Sequence, residues 1–120
     1  MRKNIVAGNW KMNKNLTESQ ALITEIRGIV GDENTNKAEI IICPTFLALA
    51  SASKLLDGSS VKLGAQNCHF EDNGAFTGEL SASMLKSVGI SHVIIGHSER
   101  RQYFNETNAM LAEKVNIALE

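Results

Sequence analysis

Short β-branched runs alternate along this chain with longer stretches of helical spacing, the rhythm expected of βα units around a parallel sheet. The strand runs are Ile5-Val6-Ala7, Ile40-Ile41-Ile42-Cys43, Val61-Lys62-Leu63-Gly64-Ala65 and Val93-Ile94-Ile95, which makes four units. Most of these runs show little polar alternation, so strands covered on both faces are expected. Between the first two, Thr17-Glu18-Ser19-Gln20 reads as a capping box, with Leu16 and Ala21 placed as a hydrophobic staple. Leu22, Ile26, Ile29 and Val30 then form one stripe that Gly31 can end. A second helix is predicted over 46–56, apolar or small on most sides and stopped by Asp57-Gly58.

A third helix places Leu80, Met84, Leu85 and Val88 on one face before Gly89, a left-handed cap. The connection that precedes it, over 67–77, is long for a βα loop, whose usual length is about 2–6 residues, and is expected to be functional. The last helix sets Met110, Leu111, Val115 and Leu119 on one face, and that stripe is still running at Glu120 with no Gly, Asn or Pro stop. The expectation is a partial domain over 1–120, truncated near the end of its fourth βα unit.

Composition narrows the classes. A chain of 120 residues suits one domain, and 43% hydrophobic and 21% charged residues with net charge -1 carry no basic excess to draw nucleic acid or an anionic membrane. Met1-Arg2-Lys3-Asn4 is basic like the start of a signal peptide, but only Ile5-Val6-Ala7 follow before Gly8 and Asn9, and no apolar run approaches the roughly 20 residues of a membrane span. Cys43 and Cys68 are far apart, with no CxxC spacing, and Cys43 ends a strand run as a buried thiol would. A reducing cytoplasm is expected.

In βα folds the loops after the carboxyl ends of the strands carry ligands. Strand one runs into Gly8-Asn9-Trp10-Lys11-Met12-Asn13, strand three into Gln66-Asn67-Cys68-His69, and strand four into Gly96-His97-Ser98-Glu99-Arg100-Arg101. If the strands are neighbours, Asn9, Lys11 and His97 converge on one rim. A lone histidine is more often structural than catalytic. Here, however, Gly96 permits a sharp turn, and Ser98-Glu99 resembles a helix start whose free N–H groups disfavour an imidazolium. A neutral His97 would donate to a substrate carbonyl. Lys11 is either a solvated surface cation or, beside Asn9, a point charge for a phosphate or a developing oxyanion. Asn9 alternatively satisfies loop backbone, and Trp10 reads as packing. Arg100-Arg101 is either a phosphate clamp or an ion-pair partner of Glu79, Glu99 or Glu106. His69 beside Cys68 is a weak metal signal without a second ligand pair, and His92 reads as structural.

Val6-Ala7-Gly8-Asn9-Trp10-Lys11-Met12-Asn13, Gly64-Ala65-Gln66-Asn67, Gly74-Ala75-Phe76-Thr77-Gly78-Glu79 and Ile94-Ile95-Gly96-His97-Ser98-Glu99-Arg100-Arg101 together resemble the triosephosphate isomerase family in order and approximate spacing, over essentially the whole chain. The resemblance implies an α/β fold, the N-terminal half, with four βα units, of a TIM (β/α)8 barrel that typically runs to about 250 residues. It implies interconversion of dihydroxyacetone phosphate and D-glyceraldehyde 3-phosphate through an enediolate, in glycolysis and gluconeogenesis, with no cofactor and no metal. His97 would be the neutral electrophile, and this family is itself the standard illustration of such a histidine. Asn9 and Lys11 would contact substrate, with Ser98 and Glu99 supporting the site, and the catalytic base would lie outside this sequence. The loop over 67–79 resembles the family's dimer loop, with Thr77 entering the neighbouring subunit of a homodimer. The alternative is a half-barrel module that binds phosphate or assembles without chemistry; a doubly wound nucleotide binder lacks any GxGxxG or Walker signature.

Overall fold

The computed structural model describes residues 2–31 and 38–120. Met1, the first residue of the basic start, lies outside them. The elements run β1 (Asn4–Asn9), α1 (Leu16–Val30), β2 (Ala38–Cys43), α2 (Phe46–Leu55), β3 (Lys62–Ala65), α3 (Ala82–Ser87), β4 (His92–Val93), α4 (Ser98–Phe104) and α5 (Asn108–Leu119).

The strands form one parallel sheet in the order β1-β2-β3-β4. Parallel crossovers keep one hand, so an order that never reverses puts successive helices on the same face of the sheet. A doubly wound sheet would reverse its order and cover both faces. This arrangement is therefore half of a barrel wall, and its Cα radius of gyration of 14.7 Å exceeds the roughly 13.6 Å expected of a compact 120-residue domain. The core lies between the sheet and its helices, where Ile23 of α1, Leu49 and Ala52 of α2, Leu63 of β3 and Leu85 of α3 are buried.

Consecutive residues are buried at Ile41, Ile42 and Cys43 of β2 and at Leu63, Gly64 and Ala65 of β3, as expected of strands covered on both faces, and β1 departs from that expectation. Ile5 and Val6 of the edge strand β1 are 54% and 61% exposed. The next two strands approach closely: a Cβ on Gly64 would come within 2.7 Å of the Cys43 thiol, so β3 lies against β2 only because that position has no side chain. β4 is shorter than the predicted run over 93–95. It has β3 on one side, and the ladder gives way to a single further bond from the Ile94 N–H to the Ala65 carbonyl.

Three local readings shift. The capping box of α1 is Asn15 with Glu18: the Asn15 side chain accepts the Glu18 N–H at 2.9 Å, and the Glu18 carboxylate accepts the Asn15 N–H at 3.1 Å. Asn caps as well as Thr does, and the apolar residue Leu16 begins the helix. On α1 the fully buried positions are Ser19 and Ile23, while Ile29 points out. On α5 the buried residues are Leu111 and Lys114, and Leu119 is 81% exposed, so a stripe counted on apolar residues alone finds Leu111 and misses Lys114.

Candidate active site

The carboxyl ends of β1, β3 and β4 open on a cavity of about 550 Å³ whose lining includes Asn9, Lys11, Gln66, His97 and Glu99. These are the residues that the strand ends placed on one rim.

His97 is held by the turn that precedes it and by the helix it starts. Gly96 has φ 78, a left-handed angle, and an added Cβ there would press on Leu111 at 3.4 Å. The chain then turns into α4 with His97 as its N-cap, and the ring Nδ1 accepts the Glu99 N–H at 3.1 Å. A nitrogen that accepts a backbone N–H carries no proton of its own. The neutral ring therefore holds its proton on Nε2, the atom left free to donate. The Glu99 carboxylate lies 3.7 Å from the same Nδ1, but the shorter bond from a donor that cannot change its state fixes the tautomer.

Lys11 has φ 55, a conformation that costs a residue with a side chain on the order of 1 kcal/mol. Its backbone is completely accommodated. The Lys11 N–H donates to Asn9 Oδ1 at 3.0 Å, and its carbonyl accepts Gln66 Nε2 at 2.9 Å. The Trp10 N–H bonds the Cys43 carbonyl at 3.2 Å, and the Trp10 carbonyl accepts Asn13 Nδ2 at 2.8 Å. Asn9 thus does the backbone work the sequence allowed for it. The Lys11 ammonium lies 2.7 Å from Glu99 Oε1, both side chains about half exposed, and this hydrogen bond holds the Glu99 carboxyl below its ordinary value.

Behind the rim is a second charged group. Lys114 of α5 donates to Glu106 Oε2 at 2.6 Å and to Asn67 Oδ1 at 2.8 Å, and Arg100 of α4 donates to the same Glu106 oxygen at 2.9 Å. Burial alone would push Glu106 up; the bonds from Lys114 and Arg100 outweigh it and hold the carboxyl below its ordinary value. The ion-pair reading of Arg100 therefore holds, with Glu106, while Arg101 reaches Asn108 on the surface at 2.8 Å. Lys114 went unnoticed in the sequence. Its signal was there: it falls three residues after Leu111, on the inner face of a helix where a lysine needs a buried acid.

Other expectations find their places. Ser98 is exposed at the first turn of α4. Thr77 is exposed in the loop over 67–79, whose neck is closed by the His69 N–H on the Leu80 carbonyl at 2.8 Å. The His69 ring lies against Phe70 and Phe76, both at 4.3 Å, with Nδ1 3.5 Å from Glu79. It is a packing residue of that loop. His92 sits between Ser91, at 2.8 Å, and Glu39, at 3.8 Å. Burial raises both Cys43 and Cys68 thiols and keeps them protonated. Among the described residues no three His, Cys, Asp or Glu come together as metal ligands, and no helix is long and apolar enough to cross a membrane.

The family model described as triosephosphate isomerase matches residues 4–120. Over 120 residues the chain is 55% identical to the triosephosphate isomerase of Alkaliphilus metalliredigens, covering 100% of this chain and 47% of that one. It is 54% identical over 119 residues to that of Chloroherpeton thalassium, covering 99% and 47%. The crystal structure of triosephosphate isomerase from Bartonella henselae matches it with a TM-score of 0.87 and 44% identity, over 98% of this chain and 48% of that one. The chain spans about half the length of the curated relatives it matches. Since sequence and strand arrangement agree from β1 to α5, this chain belongs to the triosephosphate isomerase family.

Proposed function

We propose that this chain supplies the electrophilic half of a triosephosphate isomerase active site. The observation that carries the reading is the bond from the Glu99 N–H to His97 Nδ1, which leaves a neutral ring with a proton on Nε2 at the cavity. In the proposed step a base removes the proton from the carbon beside the substrate carbonyl. The carbonyl oxygen takes up the electron pair as an enediolate, steadied by His97 Nε2–H and the Lys11 ammonium. The proton of the adjacent hydroxyl passes to the former carbonyl oxygen, and return of the abstracted proton to the former carbonyl carbon, as the new carbonyl forms beside it, completes the exchange of dihydroxyacetone phosphate and D-glyceraldehyde 3-phosphate. Asn9 and Lys11 contact substrate, and Ser98 and Glu99 support them. A preorganised donor aimed at a developing oxyanion typically contributes about 10²–10³-fold to such a reaction.

Glu99 is a poor choice for the base, because the Lys11 hydrogen bond that lowers its carboxyl also weakens it as a proton acceptor. We assign the base to the part of the family's length that this chain does not span. No cofactor or metal takes part in the proposed step. In this reading the exposed Thr77 enters a second copy in a cytoplasmic homodimer. Sedimentation of Thr77→Arg checks that placement, since a long charged side chain in a close pocket weakens the dimer.

A coupled assay tests the function. The chain alone is expected to be silent, and turnover is expected when a separately expressed remainder from the Alkaliphilus relative is supplied, with loss in His97→Ala. Turnover by the chain alone that disappears in His97→Ala would contradict the assignment of the base and point to Glu99. Binding of a triose phosphate by both, with no turnover, would favour the non-catalytic module.

A further inference from the structure

Gln66 bridges two strand ends. It follows β3, and its single side-chain nitrogen donates one proton to the Lys11 carbonyl at 2.9 Å and the other to the Cys43 carbonyl at 2.9 Å. A side-chain amide has two N–H donors, and both are used here. The opposite orientation of the amide would turn its oxygen toward two carbonyl oxygens, so the network settles which way it points. The bridge falls on the one residue of the rim whose backbone is strained. Lys11 has φ 55 without being a glycine, and a conformation of that kind persists only where its surroundings fix it. Asn9 holds the N–H side of this residue and Gln66 the C=O side, while the Cys43 carbonyl that Gln66 also grips accepts the Trp10 N–H one residue earlier.

We propose that Gln66 is a positioning residue, whose amide clamps the left-handed Lys11 peptide against the end of β2 and thereby aims the Lys11 ammonium at Glu99 and the cavity. Asn9 alone leaves the Lys11 carbonyl free to rotate. The Gln66 bridge removes that freedom and ties the β1 loop to both β2 and β3, so Lys11 is delivered from three strands at once. The inference deepens the proposed function by saying what keeps its cation in place, and it rests on that reading only for the use to which the cation is put.

Two measurements on the isotope-labelled chain test it without substrate. In the parent, both Gln66 side-chain amide protons exchange with solvent more slowly than those of exposed glutamines; exchange at the free-glutamine rate would overturn the clamp, whatever any variant does. In Gln66→Met, which keeps the reach and loses both donors, Lys11 swings from Glu99, and the Glu99 carboxyl titration moves up toward the ordinary glutamate range. Gln66→His, with one ring N–H donor, should fall between. A general loss of stability would not move one carboxyl selectively. An unchanged Glu99 midpoint in a folded Gln66→Met chain would overturn the proposal. An active Lys11→Met enzyme would instead refute the proposed use of Lys11 and leave the Gln66 result standing.

Discussion

Two ammonium–carboxylate pairs flank α4, alike in length and unlike in surroundings. Lys11–Glu99 measures 2.7 Å with side chains 52% and 43% exposed, and Lys114–Glu106 measures 2.6 Å with side chains 4% and 6% exposed. Geometry alone would call them equivalent. An exposed pair gives up little hydration and is screened by salt, so it contributes little to folding. A nearly buried pair has lost its hydration, and each partner depends on the other. The lesson is a division of labour: the inner cluster of Glu106, Lys114, Arg100 and Asn67 ties α4, α5 and the end of β3 together, and the outer pair leaves Lys11 at the cavity mouth where a ligand can compete for it.

The largest expected effect is on the inner cluster. Glu106→Leu strands Lys114 and Arg100 without their shared acid, and breaking a buried pair in this way costs about 3–5 kcal/mol. Chemical denaturation measures it. Glu106→Leu combined with Lys114→Met should recover most of the loss, because the nearly buried ammonium is then gone and Arg100, 28% exposed, keeps access to water. A single variant as stable as the parent would erase the distinction between the two pairs.

At the outer pair the effect belongs to chemistry. In the assembled enzyme, Lys11→Met should lower kcat by about 10²–10³-fold, the scale of a lost oxyanion donor, with no measurable change in the denaturation midpoint. Unaltered turnover would return Lys11 to the ordinary surface cations.

A smaller effect concerns pH. Since Glu106 is held below its ordinary value in the folded chain, its contribution is complete above the unfolded glutamate value, near 4.3. It declines as pH falls from there through the lowered folded value. The parent should lose stability over that acid window, and Glu106→Leu should show a flatter acid limb. Equal slopes would mean that Glu106 carries no linkage.

The contrast also explains what the sequence made legible. Four βα units, the convergence of Asn9, Lys11 and His97, and the turn at Gly96 follow from period, strand ends and one glycine, all of which are local. What stayed hidden depended on tertiary partners. Lys114 looks like any helix lysine until Glu106 and Asn67 surround it. Gln66 is a polar residue after a strand until two carbonyls from other strands come within reach. The exposure of Ile5 and Val6 depends on which faces the rest of the fold covers, which a strand's own residues do not state. The cap of α1 slipped by two residues because Asn15 and Thr17 are both good caps and only the bonds decide between them.

The central claim is that α4 fixes His97 as a ring with its proton on Nε2, and nitrogen NMR of the labelled ring tests it most directly. The account predicts that at neutral pH Nε2 shows an attached proton while Nδ1 shows none, its lone pair engaged by the Glu99 N–H. A proton found on Nδ1, turned toward the Glu99 carboxylate at 3.7 Å, would contradict the electrophile assignment.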